Sequence, residues 1–107
     1  MLFMMQGRLT RESLQAFISN PVDRQGPASQ TFEAAGAKLQ QMYQTAEGYV
    51  FAIFDAPSIE AATAASLSVQ AINRLTDVRL HRLQTTAEFI RGIQQAKSTM
   101  AVNQFPS

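Results

Sequence analysis

Hydrophobic positions along the chain follow two periods, and their alternation predicts the order of the secondary structure. Short apolar runs bounded by glycine, proline or polar residues predict strands over residues 2–8, 38–45, 49–55 and 77–83. Apolar residues three and four positions apart predict helices between them. A helix in two pieces follows the first strand, a long helix follows the third, and an extra helix follows the fourth.

Capping residues mark where these helices begin and end. Four residues that favour the N-cap position precede the helical segments: Thr10, Asp23, Ser58 and Thr85. Glu88 follows Thr85 by three positions and completes a capping box. Asn20-Pro21 and Gly36 are predicted to end the two pieces of the first helix.

This order of elements predicts an α+β fold. Strand, helix, strand, strand, helix, strand is the βαββαβ arrangement of the ferredoxin-like fold, a four-stranded antiparallel sheet with helices on one face. The 107 residues are enough for one domain, which we place at residues 1–97 together with the extra C-terminal helix. Residues 98–107 are predicted to form a C-terminal tail, because no clear period continues there.

The two strands that would be central in this sheet are apolar on both faces. Residues 49–54 read YVFAIF, whereas a half-solvated antiparallel strand should alternate apolar and polar residues. Helices on one side of the sheet leave the second face to be covered by the extra C-terminal helix or by a second copy of the chain. Symmetric pairing is the commonest form of oligomer, so we expect a homodimer.

Composition agrees with an assembly and excludes several classes of protein. Only 16% of the residues are charged, below the usual quarter or so. Nine basic and eight acidic residues give a net charge of +1, which favours neither nucleic acid nor an anionic membrane as a partner. The chain has no cysteine, which excludes disulfides, thiolate zinc sites, iron–sulfur clusters and thiol catalysis.

The apolar segments are too short for export or membrane insertion. Residues 1–5 (MLFMM) are shorter than the apolar region of a signal peptide, and no apolar stretch approaches the length of a membrane span. A cytoplasmic location is therefore expected. Neither a phosphate-binding loop nor a dinucleotide fingerprint is present, so we expect no cofactor.

His81 and Arg79 are the first candidates for a ligand site. His81 is the only histidine and would share a strand face with Arg79. If that face lines a cavity, the pair offers a cation and an acid–base group to a small anion. The commoner situation is a solvated face of an edge strand, and we favour it. A single histidine without cysteines offers too few ligands for a metal site, and we expect none.

Tyr43 and Tyr49 are the second pair of candidates. They lie on the two arms of the predicted hairpin, where they could clamp a flat ligand or donate hydrogen bonds from their hydroxyls. Cross-strand aromatic packing is the more common role of such residues and is the favoured interpretation.

Several short motifs together resemble the GYD domain family. The resemblance is carried by Gly36-Ala37-Lys38-Leu39, Tyr43, Glu47-Gly48-Tyr49 and Asp55-Ala56-Pro57, with further similar segments at residues 4–8, 20–24 and 77–79. It covers most of residues 1–95. Val50 stands where the family's Gly-Tyr-Asp signature has its aspartate. The resemblance implies a ferredoxin-like fold related to the dimeric α+β barrels, and it implies no activity.

Two hypotheses about function follow. The first is a homodimer that binds a small molecule without catalysis, in a cavity lined by Tyr43, Tyr49, Arg79 and His81. The second is a cofactor-independent oxygenase or isomerase acting on a small organic acid or aromatic, with His81 as the acid–base group and Arg79 binding the anion. Whether the protein is an enzyme stays open at this point.

Overall fold

The computed structural model describes residues 1–102 and confirms the predicted α+β layout. Its elements are, in chain order, β1 (Leu2–Leu9), α1 (Arg11–Ser19), α2 (Gln25–Ala34), β2 (Lys38–Gln44), β3 (Tyr49–Asp55), α3 (Ile59–Ala71), β4 (Leu75–Arg82) and α4 (Thr86–Val102). The four strands form one antiparallel sheet in the order β2-β3-β1-β4. The first and third strands are central, as predicted.

Three of the four predicted N-caps form side-chain hydrogen bonds at the start of a helix. The hydroxyl of Thr10 accepts from the Ser13 N–H at 3.1 Å, and the hydroxyl of Ser58 accepts from the Ala61 N–H at 3.1 Å. Asp23 differs, because its carboxylate accepts the Gln25 N–H at 2.9 Å and α2 begins one residue later than an Asp23 cap would place it.

The capping box of α4 closes in both directions. The Glu88 N–H donates to the Thr85 hydroxyl at 3.1 Å, and the Thr85 N–H donates to the Glu88 carboxylate at 2.9 Å. The bond from the Thr85 backbone lowers the pKa of the Glu88 carboxyl, because it stabilises the ionised form.

The fourth strand begins two residues earlier than predicted and contains an irregularity. Its pairing with β1 shifts register beside Gly7, and Asp77 has a positive φ of 53°. The shift brings the side chains of Leu75 and Val78 to one face. A Cβ on Gly7 would lie 3.2 Å from the Cβ of Leu75 and 3.3 Å from a methyl of Val78, so the glycine permits this close approach.

The core lies between the sheet and α2 and α3. The ring of Phe54 stacks on Phe3 with 5.6 Å between centroids and meets Phe32 at 4.7 Å. Phe3, Phe32 and Phe54 are each at most 3% exposed. α3 covers this cluster with Ala62 and Ala65, whose small side chains let the helix approach the sheet closely.

The second face of the sheet, called the open face below, carries no helix. Its residues are Leu2, Met4, Gln6 and Arg8 from β1, Tyr49, Phe51, Ile53 and Asp55 from β3, Lys38, Gln41 and Tyr43 from β2, and Thr76, Arg79 and His81 from β4. None of these side chains is buried, and the apolar Met4, Phe51 and Ile53 are half-buried by their neighbours alone. The prediction that both faces of the central strands are apolar is confirmed.

α4 does not cover the open face. None of its residues is buried, and Phe89, Ile90 and Ile93 are each about half exposed. The described chain is elongated, with extents of 63 × 29 × 22 Å. The helix runs to Val102, so it includes Met100 and passes the predicted start of the tail, while residues 103–107 lie outside the described part of the chain.

Within residues 1–102 no helix combines the length and the apolar composition that crossing a bilayer requires.

Phe54→Ala is expected to lower the free energy of unfolding by about 3–5 kcal/mol, because it removes the ring that joins Phe3 to Phe32 and leaves a cavity. Leu67→Ala is the matched control. Leu67 lies on α3 and is 58% exposed, so its loss should change stability by less than about 0.5 kcal/mol. Urea unfolding followed by circular dichroism measures both. Equal losses for the two variants would contradict the assignment of the core.

Candidate functional site

A cavity of about 410 Å³ lies between the helices and the sheet, on the side of the sheet opposite the open face. Its floor is formed by Met5, Val50 and Ala52 of the central strands. Its walls come from residues on five other segments: Ala16 and Phe17 of α1, Ala28, Thr31 and Phe32 of α2, Val69 of α3, Ile72 of the connection that follows α3, and Leu75 of β4. We call it the helix–sheet cavity.

Small side chains leave this space unfilled. Ala52 lies on the floor, and Ala16 and Ala28 lie on the walls, where larger residues would be needed to reach native packing density. α1 contributes no buried residue to the core, so its apolar side chains do not fill the gap either. The far end of the same layer is closed by Phe32 against Phe54. The cavity therefore lies at one end of the helix layer only.

Among the polar residues that line this cavity, Arg24 is the one with a buried side-chain nitrogen. It lies in the connection between α1 and α2 and is half-buried. Its guanidinium carbon is 5.3 Å from the centroid of the Phe17 ring, within the range of a cation–π contact. The Nε atom of Arg24 is buried and has no hydrogen-bond partner among residues 1–102. A buried donor without a partner is rare, because it loses its bond to water and gains nothing.

The other polar residues form the rim of the cavity. Glu12 and Arg74 are exposed there, and the Glu12 carboxylate accepts from the Asn73 amide at 3.5 Å. The Thr31 hydroxyl donates to the Pro27 carbonyl at 3.3 Å. The lining thus combines a largely apolar interior with two arginines and one glutamate.

The four residues predicted to form a site lie elsewhere, together on the open face. Register pairs Arg79 with Gln6 and His81 with Met4, and it pairs Tyr43 with Phe51. Arg79 and His81 therefore share a strand face, as the alternation predicted. Both side chains are exposed, and none of the four lines the helix–sheet cavity. Their role as ligand-binding residues stays a prediction.

The two tyrosines make the contacts of a packed sheet surface. The ring of Tyr49 lies 6.3 Å from that of Phe51 and under the guanidinium of Arg8 at 5.0 Å. The Tyr43 hydroxyl donates to the Gln41 amide oxygen at 2.9 Å, within its own strand. Aromatic packing thus describes Tyr49, against Phe51 of its own strand, whereas Tyr43 is 55% exposed and makes no aromatic contact among residues 1–102.

A second cavity, of about 350 Å³, lies at the junction of β4 and α4. It is lined by residues 82–86 and by the exposed ring of Phe89. Within residues 1–102 no group of three or more histidine, aspartate or glutamate side chains is placed to hold a metal ion.

The residues of the helix–sheet cavity were missed because no local pattern marks them. Phe17 and Ala28 appear in the sequence as apolar positions of two separate helices. Only the packing of those helices on the sheet shows that they face a common space. The alanines offered a weak signal, since core positions without bulk are where cavities form.

An antiparallel sheet in the order β2-β3-β1-β4 with its helices on one face defines a ferredoxin-like α+β protein. A solved structure shares this fold: the 5-chloro-2-hydroxyhydroquinone dehydrochlorinase of Burkholderia phenoliruptrix AC1100, in complex with 2,5-dihydroxybenzoquinone. It aligns with a TM-score of 0.56 and 17% identity, over 81% of this chain and 97% of the dehydrochlorinase chain. At that identity the likeness extends to the fold alone.

The chain belongs to the GYD domain family, whose family model matches residues 3–93. The resemblance inferred from the motifs is thereby confirmed. A comparison with curated protein sequences finds no match.

Proposed function

We propose that this GYD-family protein binds a small, mostly apolar molecule in the helix–sheet cavity. The preformed cavity of about 410 Å³ carries the proposal, because small-molecule sites are concave, largely apolar and on the order of 300–1,000 Å³. A few polar groups at one side of an apolar interior are also typical of such sites, since they orient the ligand.

The structural neighbour gives limited support for a small ring compound as the ligand. The dehydrochlorinase was solved with 2,5-dihydroxybenzoquinone, a flat ring compound. The similarity is limited to the fold, so it supports only the idea that a protein of this shape can hold a small planar ring compound. The aromatic walls formed by Phe17 and Phe32 suit a planar ligand here.

The enzymatic hypothesis gains no support from the single chain. It required His81 and Arg79 to converge on a buried pocket. Both side chains are exposed on the open face, and neither lines either of the two cavities described above. We therefore favour binding over catalysis by an oxygenase or isomerase mechanism.

A homodimer is the second part of the proposal. The open face presents Met4, Phe51 and Ile53, and α4 presents Phe89, Ile90 and Ile93, and neither surface is covered within residues 1–102. A helix of 17 residues draws most of its stability from packing its apolar side, so α4 needs a partner surface. A second copy, related by a two-fold axis, supplies both surfaces reciprocally.

In such a dimer the open faces of two sheets meet, and Tyr43, Tyr49, Arg79 and His81 lie between them. Any ligand site formed by those four residues would depend on the dimer. We also propose a cytoplasmic location, which the cysteine-free composition supports.

Ala28→Leu is expected to weaken binding of the neutral probe 2-naphthamide by about tenfold or more, because the larger side chain occupies the helix–sheet cavity. The matched control is Ala64→Leu, the same change on the exposed side of α3. Isothermal titration calorimetry measures the affinities, and thermal unfolding shows that both variants are folded. Equal affinity in wild type and Ala28→Leu would contradict binding in this cavity.

Light scattering at micromolar concentration is expected to give twice the 11.8 kDa mass of the chain. Phe51→Lys should produce a monomer, since a charge at the centre of the open face cannot be buried against a second sheet without a large cost. Leu67→Lys, on the exposed side of α3, should remain a dimer. If Phe51→Lys is unfolded, Ile90→Lys on α4 replaces it. A wild-type monomer, or a dimer that persists in the folded variant, would refute the interface.

A further inference from the structure

We infer that the ligand of the helix–sheet cavity is an organic monoanion, a carboxylate attached to an apolar ring, whose charge is bound by Arg24. This inference rests on the proposed function and specifies the class of ligand. It is carried by the place of Arg24 beside an unfilled apolar cavity and by the unpaired state of its buried Nε.

The structure gives Arg24 no counter-ion. The ion pairs within residues 1–102 involve Asp55 and Glu88, and neither includes Arg24. The neighbouring Asp23 carboxylate is occupied by the Gln25 N–H at 2.9 Å. Glu12, which also lines the cavity, accepts from Asn73 at 3.5 Å. The arginine is therefore held at the cavity with its charge uncompensated by an acidic side chain.

The charges around the cavity favour one negative charge on the ligand. The ionised side chains that line it are Arg24, Arg74 and Glu12, which leave a net charge of +1 at the site. A ligand with one carboxylate balances this charge. A neutral ligand leaves this net charge uncompensated, and a dianion reverses its sign.

The geometry of the guanidinium matches a carboxylate. Nε–H and one terminal N–H of an arginine point in the same direction and can donate to both oxygens of one carboxylate. Phe17 lies against the guanidinium at 5.3 Å, which restricts its orientation. The Nε–H, which has no partner among residues 1–102, is one of the two donors that such a contact uses.

The apolar part of the ligand follows from the remaining walls. Val50 and Ala52 form a flat floor on the sheet, and Phe32 closes the far side. A planar ring system placed there removes apolar surface of both partners from water. An aromatic monocarboxylate therefore combines the two features that the cavity offers.

The test compares two probes of nearly equal shape, 2-naphthoate and its neutral amide 2-naphthamide, by isothermal titration calorimetry. We expect wild type to bind the carboxylate at least about tenfold more tightly than the amide. Arg24→Gln should remove this preference while keeping the affinity for the amide. Arg24→Lys, which keeps the charge without the paired donors, should retain only part of it.

Arg11→Gln is the matched control, because Arg11 is exposed at the start of α1 and does not line the cavity. Its preference for the carboxylate should equal that of wild type. Tighter or equal binding of the amide by wild type would overturn the role of Arg24 and leave the proposed binding function intact. If folded Arg24→Gln or Arg24→Lys keeps the full preference for the carboxylate over the amide, the role of Arg24 is likewise overturned and the proposed binding function stands. Failure of both probes to bind would overturn the proposed function together with the inference.

Discussion

A sheet that is apolar on both faces, with one layer of helices to cover it, is the constraint on which the rest of this structure depends. β1 and β3 place Phe3, Met5 and Phe54 on one side and Met4, Phe51 and Ile53 on the other. The helices bury the first set. The second set is only half-buried, by neighbouring side chains of the same sheet. The low content of charged residues, 16%, is the compositional trace of this arrangement, since apolar residues occupy both faces of the central strands.

The covered face is itself divided. At one end the three phenylalanine rings and the alanines of α3 pack closely, and they fix the position of α2 through Phe32. At the other end α1 and the start of α2 stand over Ala52 without filling the space above it. A well-packed end thus holds an unfilled end in shape, which is how a small domain can keep a preformed cavity. Arg24 lies at that unfilled end, and its buried Nε has no hydrogen-bond partner in the described part of the chain.

The sequence was informative wherever the determinant was local. β3 was predicted with its observed bounds, and the capping box of Thr85 and Glu88 forms as the spacing indicated. The two-sided apolar character of the central strands was also readable, because strand side chains alternate strictly. Irregularities in register could not be predicted from the sequence. The shift between Leu39 and Gln41 brings Met42 to the helix side of the sheet, and no residue type at these positions indicates it. The cavity was missed for the same reason, since it is formed by segments that are distant along the chain. The four residues chosen from their chemistry do share a face, and their role as ligand-binding residues stays a prediction.

The most direct test is to map the binding of 2-naphthoate onto ¹⁵N-labelled protein by nuclear magnetic resonance. Binding in the helix–sheet cavity predicts that the largest shifts fall on the backbone amides of α2 around Ala28 and Thr31 and of β3 around Val50 and Ala52. Shifts concentrated instead on Tyr43, Arg79 and His81, with α2 unaffected, would place the ligand on the open face and contradict the account.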